Sequence, residues 1–102
     1  WLELSEQFLR RAAQEASETV EVRLELARTQ MELGRFSEAL ESLQRANRLD
    51  PLRPEVHFLL GSLWERQGRW AEAAAEYRRT LELDPNHEQA RSRLQRLRPQ
   101  SP

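Results

Sequence analysis

The chain has no cysteine, no lysine and no isoleucine, only three glycines and two histidines, and no long apolar run. Without cysteine there are neither disulfides nor thiolate metal sites, an absence that leaves both a reducing cytoplasm and an oxidising periplasm open, with the cytoplasm preferred. With lysine missing, all 16 basic residues are arginine, which codon bias in a GC-rich genome explains more simply than selection for the guanidinium fork. The longest nearly apolar stretch, Phe58 to Trp64, is interrupted by Ser62. It falls far short of the roughly 20 residues that span a bilayer, so no membrane insertion is expected. Sixteen basic against 17 acidic side chains leave a net charge of −1. The positive field that nonspecific nucleic-acid binding requires is therefore missing, and no nucleic acid is expected as a partner.

The parts of an enzyme are missing too. His57 and His87 stand far apart in the chain, no glycine-rich phosphate cradle exists, and Glu21 and Glu25 share a helix face only to repel each other. His57 reads as a core filler and His87 as a solvated turn residue. No catalytic residue, metal site or cofactor is expected. The chain opens on Trp1 with neither a methionine nor a signal-like leader, as expected of a segment cut from a longer protein.

What the chain does have is a period. Gly34 and Gly68 stand 34 residues apart, and the same step carries Ala39 onto Ala73, Leu49 onto Leu83, Asp50 onto Asp84 and Pro51 onto Pro85. A repeat of that length signals stacked helix pairs that cannot bury their apolar faces alone. Thr19 is a suitable N-cap for a helix that ends at Gly34, and Ser37 is placed to cap its mate, which Asp50-Pro51 stops. The pattern recurs from Pro54 to Gly68 and over residues 71–83. Asn86 with Gln89 then has the spacing of a capping box for a last helix, ended by Pro99. Stepping back one period sets Ser5 and Leu9 where Ala39 and Leu43 stand, so the opening segment reads as a second helix without its first. The expected organisation is a trailing helix in 1–19, complete repeats in 20–53 and 54–87, and a closing helix with its tail in 88–102. Only that last stretch, with Arg91, Arg93, Arg96 and Arg98 against Glu88, is net basic.

The residues that carry the period are similar to the tetratricopeptide repeat pattern. The second repeat reads His57-x2-Leu60-Gly61-x2-Trp64, Ala73-x3-Tyr77 and Pro85. The first is looser, with Arg23-x2-Leu26-Ala27-x2-Gln30, Ala39-x3-Leu43 and Pro51. The resemblance implies an all-α fold, a right-handed α-solenoid of antiparallel helix pairs with about six helices. Small residues at Ala27 and Gly61, facing Ala39 and Ala73, would let paired backbones approach closely. The resemblance also implies a non-enzymatic protein-interaction scaffold, in which the leading helices line a concave groove for a peptide or helix of a partner protein.

Carried over position by position, that groove would hold Leu24 and Arg28 from the first repeat, Phe58, Leu59, Ser62, Glu65 and Arg66 from the second, and Gln89, Arg93 and Arg96 from the closing helix. Leu24, Phe58 and Leu59 would form its apolar centre. The subclass that grips chaperone C-termini is not matched, since of its five positions, here Leu24, Arg28, Leu59, Gln89 and Arg93, only Arg93 fits. An extended segment of apolar and acidic character suits the groove better. A different reading concerns the first helix, whose Trp1, Leu4, Phe8 and Leu9 form an apolar stripe with no partner. Either an upstream helix covers it, the preferred expectation, or two copies pair there as a homodimer.

Overall fold

The computed structural model describes residues 1–15 and 19–97. Its elements are six helices, α1 (Leu2–Glu15), α2 (Val20–Glu32), α3 (Phe36–Leu49), α4 (Pro54–Arg66), α5 (Trp70–Leu83) and α6 (Glu88–Leu97), with no strand among the described residues. Ser17, one period before Pro51, and Arg98 and Pro99, read as a basic tail and a helix stop, lie outside them.

Each leading helix ends in the same backbone device. Gly34 and Gly68 both take φ 76°, a left-handed value that penalises any side chain. That bend lets Arg35 N–H donate to Gln30 O at 2.8 Å and Gly34 N–H to Met31 O at 3.0 Å. Arg69 N–H to Trp64 O at 2.8 Å and Gly68 N–H to Glu65 O at 3.0 Å repeat the pair one period later. These are the paired bonds of a Schellman motif, which satisfy carbonyls that the helix end would leave bare. The reversal is so abrupt that α3 starts at Phe36 with Arg35 as N-cap and no side-chain cap. Ser37 therefore lies inside the helix and does not cap it.

The trailing helices stop at Asp-Pro. Asp50 Oδ1 accepts from Leu52 N–H at 3.2 Å, and Asp84 Oδ1 from Asn86 N–H at 3.1 Å. Each closes a side-chain turn before the next leading helix begins. At α4 this delivers Pro54 to the first helical turn, where its missing N–H costs nothing. At α6 the expected capping box at Asn86 is replaced, because His87 takes the capping role and accepts from Ala90 N–H through Nδ1 at 3.1 Å. His87 is also half-buried, with its ring 4.8 Å from that of Phe58. It is a structural cap, not a solvated turn residue.

The helices pack in sequence as antiparallel pairs, extending the molecule to 51 × 25 × 18 Å. α2 also packs directly on α4, whereas α3 and α5 lack comparable contact, so the leading helices form the inner layer. The principal core joins α2, α3 and α4 around Ala27, Leu43, Ala46, Val56 and Leu63, each fully buried. A second cluster gathers Phe58, Trp64 and Leu94 around buried Ala73, Tyr77 and Ala90. His57 is buried as a core residue and binds Glu76 Oε1 through Nδ1 at 2.9 Å, tying α4 to α5. The space at Gly61 is filled by the ring of Tyr77, which shares the α5 face with buried Ala73.

α1 is docked through polar groups. Glu6, only 3% exposed, pairs with Arg35 and with Arg10 Nη2 at 2.9 Å, and the same Arg10 nitrogen reaches Glu38 at 2.6 Å. Burial alone would raise the Glu6 carboxyl, but the hydrogen bond from Arg35 and the charge of Arg10 outweigh it and hold the group below its ordinary value. Ser42 Oγ–H donating to Gln30 Oε1 at 2.7 Å continues this network inward. Gln30 stands where the family pattern has an aromatic residue, and the hydrogen bond to Ser42 satisfies its buried amide.

Candidate binding surface

The inner face is built from α2, α4 and α6. Its centre is Phe58, half-buried among Tyr77 at 5.7 Å, His87 and the Arg93 guanidinium, which lies 5.2 Å above the ring. Arg93 is placed by three further contacts, to Ser62 Oγ at 3.3 Å, Tyr77 OH at 3.5 Å and Glu65 Oε1 at 3.7 Å. Glu65 is the hub of the polar group. It accepts from Tyr77 OH at 2.7 Å and from Arg96 Nη2 at 3.1 Å. Burial first, and then the bond to Glu65, push the Tyr77 phenol up to about 12, against a smaller opposing effect of Arg93.

Ser62, Glu65, Arg66 and Arg93 share one cavity of about 420 Å³ with Glu32 and Trp70. Gln89, Arg93 and Arg96 line a second recess along α6, of about 580 Å³, together with Ser92. The structure thus brings seven of the ten expected groove residues to or beside one inner wall. Arg28 stands apart, exposed and paired with Glu25 on its own helix at 2.6 Å. Leu24 and Leu59 are corrections. At 5% and 7% exposure they belong to the core, because the direct packing of α2 on α4 covers the face that would otherwise be groove. Of the expected apolar centre only half-buried Phe58 remains on the wall, among polar and charged side chains.

Trp70, absent from the expected set, supplies the exposed apolar surface instead. It is 56% exposed and borders both the inner cavity and a recess of about 670 Å³ formed with Ala71, Ala74 and Leu97. The available signal was positional, since Trp70 follows Gly68-Arg69 as Phe36 follows Gly34-Arg35.

The other expected surface is at the opposite end. Trp1, Leu4 and Phe8 are 99%, 64% and 72% exposed, and with half-buried Leu9 they line a shallow groove of about 330 Å³. Since Glu6 and Arg10 face the body of the protein, α1 turns its ionic side inward and its apolar stripe out.

Among the described residues no helix is long and apolar enough to cross a membrane. Among the described residues no three His, Asp or Glu side chains cluster so as to hold a metal ion. A family profile described as Tetratricopeptide repeat matches residues 24–88, more than half of the sequence. The chain belongs to the tetratricopeptide repeat family. Solved structures agree in fold. The Arabidopsis OM64 TPR domain is 26% identical, with TM-score 0.85 over 91% of this chain and 77% of that one. A thermophilic TPR protein of Thermus thermophilus, TTC0263, is 28% identical, with TM-score 0.85 over 94% of this chain but 49% of its own length. PcrH from Pseudomonas aeruginosa, 15% identical, matches with TM-score 0.83 over 90% of this chain and 75% of its own. The tetratricopeptide chain therefore spans about half the length of one of these relatives and three quarters of the others. Comparison with curated proteins finds no significant match. Tetratricopeptide repeats form protein-interaction scaffolds, and the fold assigns this chain to that general class.

Proposed function

We propose that the inner wall between α4 and α6 binds an extended segment of a partner protein that carries acidic and apolar side chains. The observation that carries this reading is the cavity in which exposed Trp70 stands beside Arg66 and Arg93. Tryptophan and arginine are the side chains that most often dominate binding energy at protein interfaces, and Trp70 offers apolar area at the rim of a charged wall. Arg66 lies 5.7 Å over Phe36, forms no ion pair with a carboxylate of the described residues and lines the cavity. The segment's carboxylates would meet the arginines and its apolar side chains Trp70.

Titration with a fluorescein-labelled peptide of alternating glutamate and leucine tests the reading. The double variant Phe58→Ala, Arg93→Glu is expected to bind at least about tenfold more weakly than the parent, the scale of a single hot spot. Equal affinity for parent and variant would remove the wall from consideration.

A second reading rests on the inverted polarity of α1. Its outward stripe of Trp1, Leu4 and Phe8 is a surface for pairing, with a second copy or with a further helix. If copies pair, sedimentation equilibrium will show mass rising from monomer to dimer with concentration, and Phe8→Glu will abolish the rise. A monomer mass at every concentration excludes self-pairing.

A further inference from the structure

We propose that Glu65 is an internal stand-in for the partner's carboxylate: in the free protein it occupies Arg93 and Arg96, and binding exchanges it for an acidic side chain of the ligand. The inference rests on the wall reading above and adds the residue that sets its preference for acid.

Three observations carry it. First, two guanidinium groups from one face of α6 converge on one carboxylate of α4, with Arg96 at 3.1 Å and Arg93 at 3.7 Å. Arg96 is 65% exposed yet turns back to Glu65, so its head is held at the wall's edge within reach of solvent. Second, Arg93 is under-used. Its hydrogen bonds reach only neutral hydroxyl oxygens, at 3.3 and 3.5 Å, and its approach to Glu65 is too long for a strong charge-assisted bond. A ligand carboxylate that engages the guanidinium fork side-on makes a better contact than any it has. Third, Glu65 would not be left bare by the exchange. Tyr77 OH donates to it at 2.7 Å from within the core and can stay in place while the arginines turn outward.

The charges around the exchange point are mixed. The cavity receives Glu32 from α2, Glu65 and Arg66 from α4 and Arg93 from α6, with Arg96 beside it. Glu65 therefore opposes an incoming carboxylate directly and also competes for its partners. Neutralising that one residue should strengthen binding of acid without touching the arginines that bind it.

The experiment compares the fluorescein-labelled glutamate–leucine peptide with its glutamine–leucine counterpart, on the parent, Glu65→Gln and Arg93→Gln/Arg96→Gln. Glu65→Gln retains an acceptor for Tyr77 OH. It is expected to tighten the acidic peptide about tenfold and to leave the glutamine peptide unchanged. Its binding should also fall more steeply with added salt. Glu65→Asp, whose shorter side chain withdraws from Arg96 while keeping its charge, should give an intermediate gain and serves if Glu65→Gln does not fold. If the double arginine variant loses the acidic peptide but neither Glu65 variant gains affinity, the exchange is overturned and the wall reading survives. If the acidic peptide binds neither the parent nor the Glu65 variants, or binds the double arginine variant as well as the parent, both are overturned.

Discussion

Gly61→Val is expected to destabilise the protein by about 3 kcal/mol through overpacking. That is a large share of the roughly 5–15 kcal/mol that holds a domain of this size together. A Cβ at Gly61 would lie 2.5 Å from Tyr77 Cε1, 2.7 Å from Cδ1 and 3.0 Å from Cζ. The ring cannot yield, because Tyr77 is fully buried, its hydroxyl is fixed on Glu65 and Phe58 packs on it. The helices α4 and α5 must separate instead. Thermal unfolding followed by circular dichroism should show a midpoint about 15 °C below the parent's. A melting curve that overlays the parent's would mean that α4 and α5 do not approach this closely.

The first repeat contains its own solution to the same packing problem. One period back from Gly61 and Tyr77 stand Ala27 and Leu43, both fully buried. A methyl on the leading helix goes with the smaller side chain on its mate, and no methyl with the larger. Gly61→Ala alone should gain about 1 kcal/mol of helix propensity and lose more to the clash. Adding Tyr77→Leu reproduces the Ala27–Leu43 pair and should recover part of that loss, a coupling that a double-mutant cycle measures.

The elements that were legible in the sequence are those decided within a few residues. Gly34 and Gly68 marked helix ends because only glycine accepts the left-handed backbone there without cost. Asp50-Pro51 and Asp84-Pro85 marked the next boundaries because an aspartate side chain can close a turn and proline cannot continue a helix. The candidate surface was harder to read, since exposure depends on how closely two helices from different repeats approach. Leu24 and Leu59 occupy positions on leading helices that would face the groove, and the contact of α2 with α4 buries both. No periodicity within one helix encodes that contact.

Phe36 and Trp70 show the same limit from the other side. They are equivalent by register, but Phe36 is half-buried under Arg66 while Trp70 is 56% exposed. Their difference arises from what packs beyond each repeat. His87 escaped because the helix begins at Glu88, one residue later than an Asn86 cap requires, so the cap position falls on the imidazole that accepts from Ala90 N–H.

The alkaline limb of the stability curve should belong to one side chain. The chain has a single tyrosine and neither lysine nor cysteine, so between histidine and arginine no other side chain titrates. Burial and the bond to Glu65 raise the Tyr77 phenol in the folded protein from 10.0 to about 12. Below the unfolded value both states are protonated and the stabilisation is fully present. As pH climbs past it the unfolded chain ionises first, and stability falls until the folded value is reached. The expected loss is about 2 to 3 kcal/mol, spread between roughly pH 10 and 12. Denaturant unfolding across that range should show the slope in the parent and none of it in Tyr77→Phe. That variant should be weaker at neutral pH by about 1 kcal/mol for the missing hydrogen bond. In the parent, tyrosinate absorbance should appear only near pH 12 while the helical signal persists; a phenol that ionises near its ordinary value in a still-helical protein would contradict its placement. The same absorbance reads the inner wall, because Arg93 is the group that pulls the phenol down. Removing that charge with Arg93→Gln should move the titration higher, and its direction would tie the packing of the core to the side chain that the wall presents.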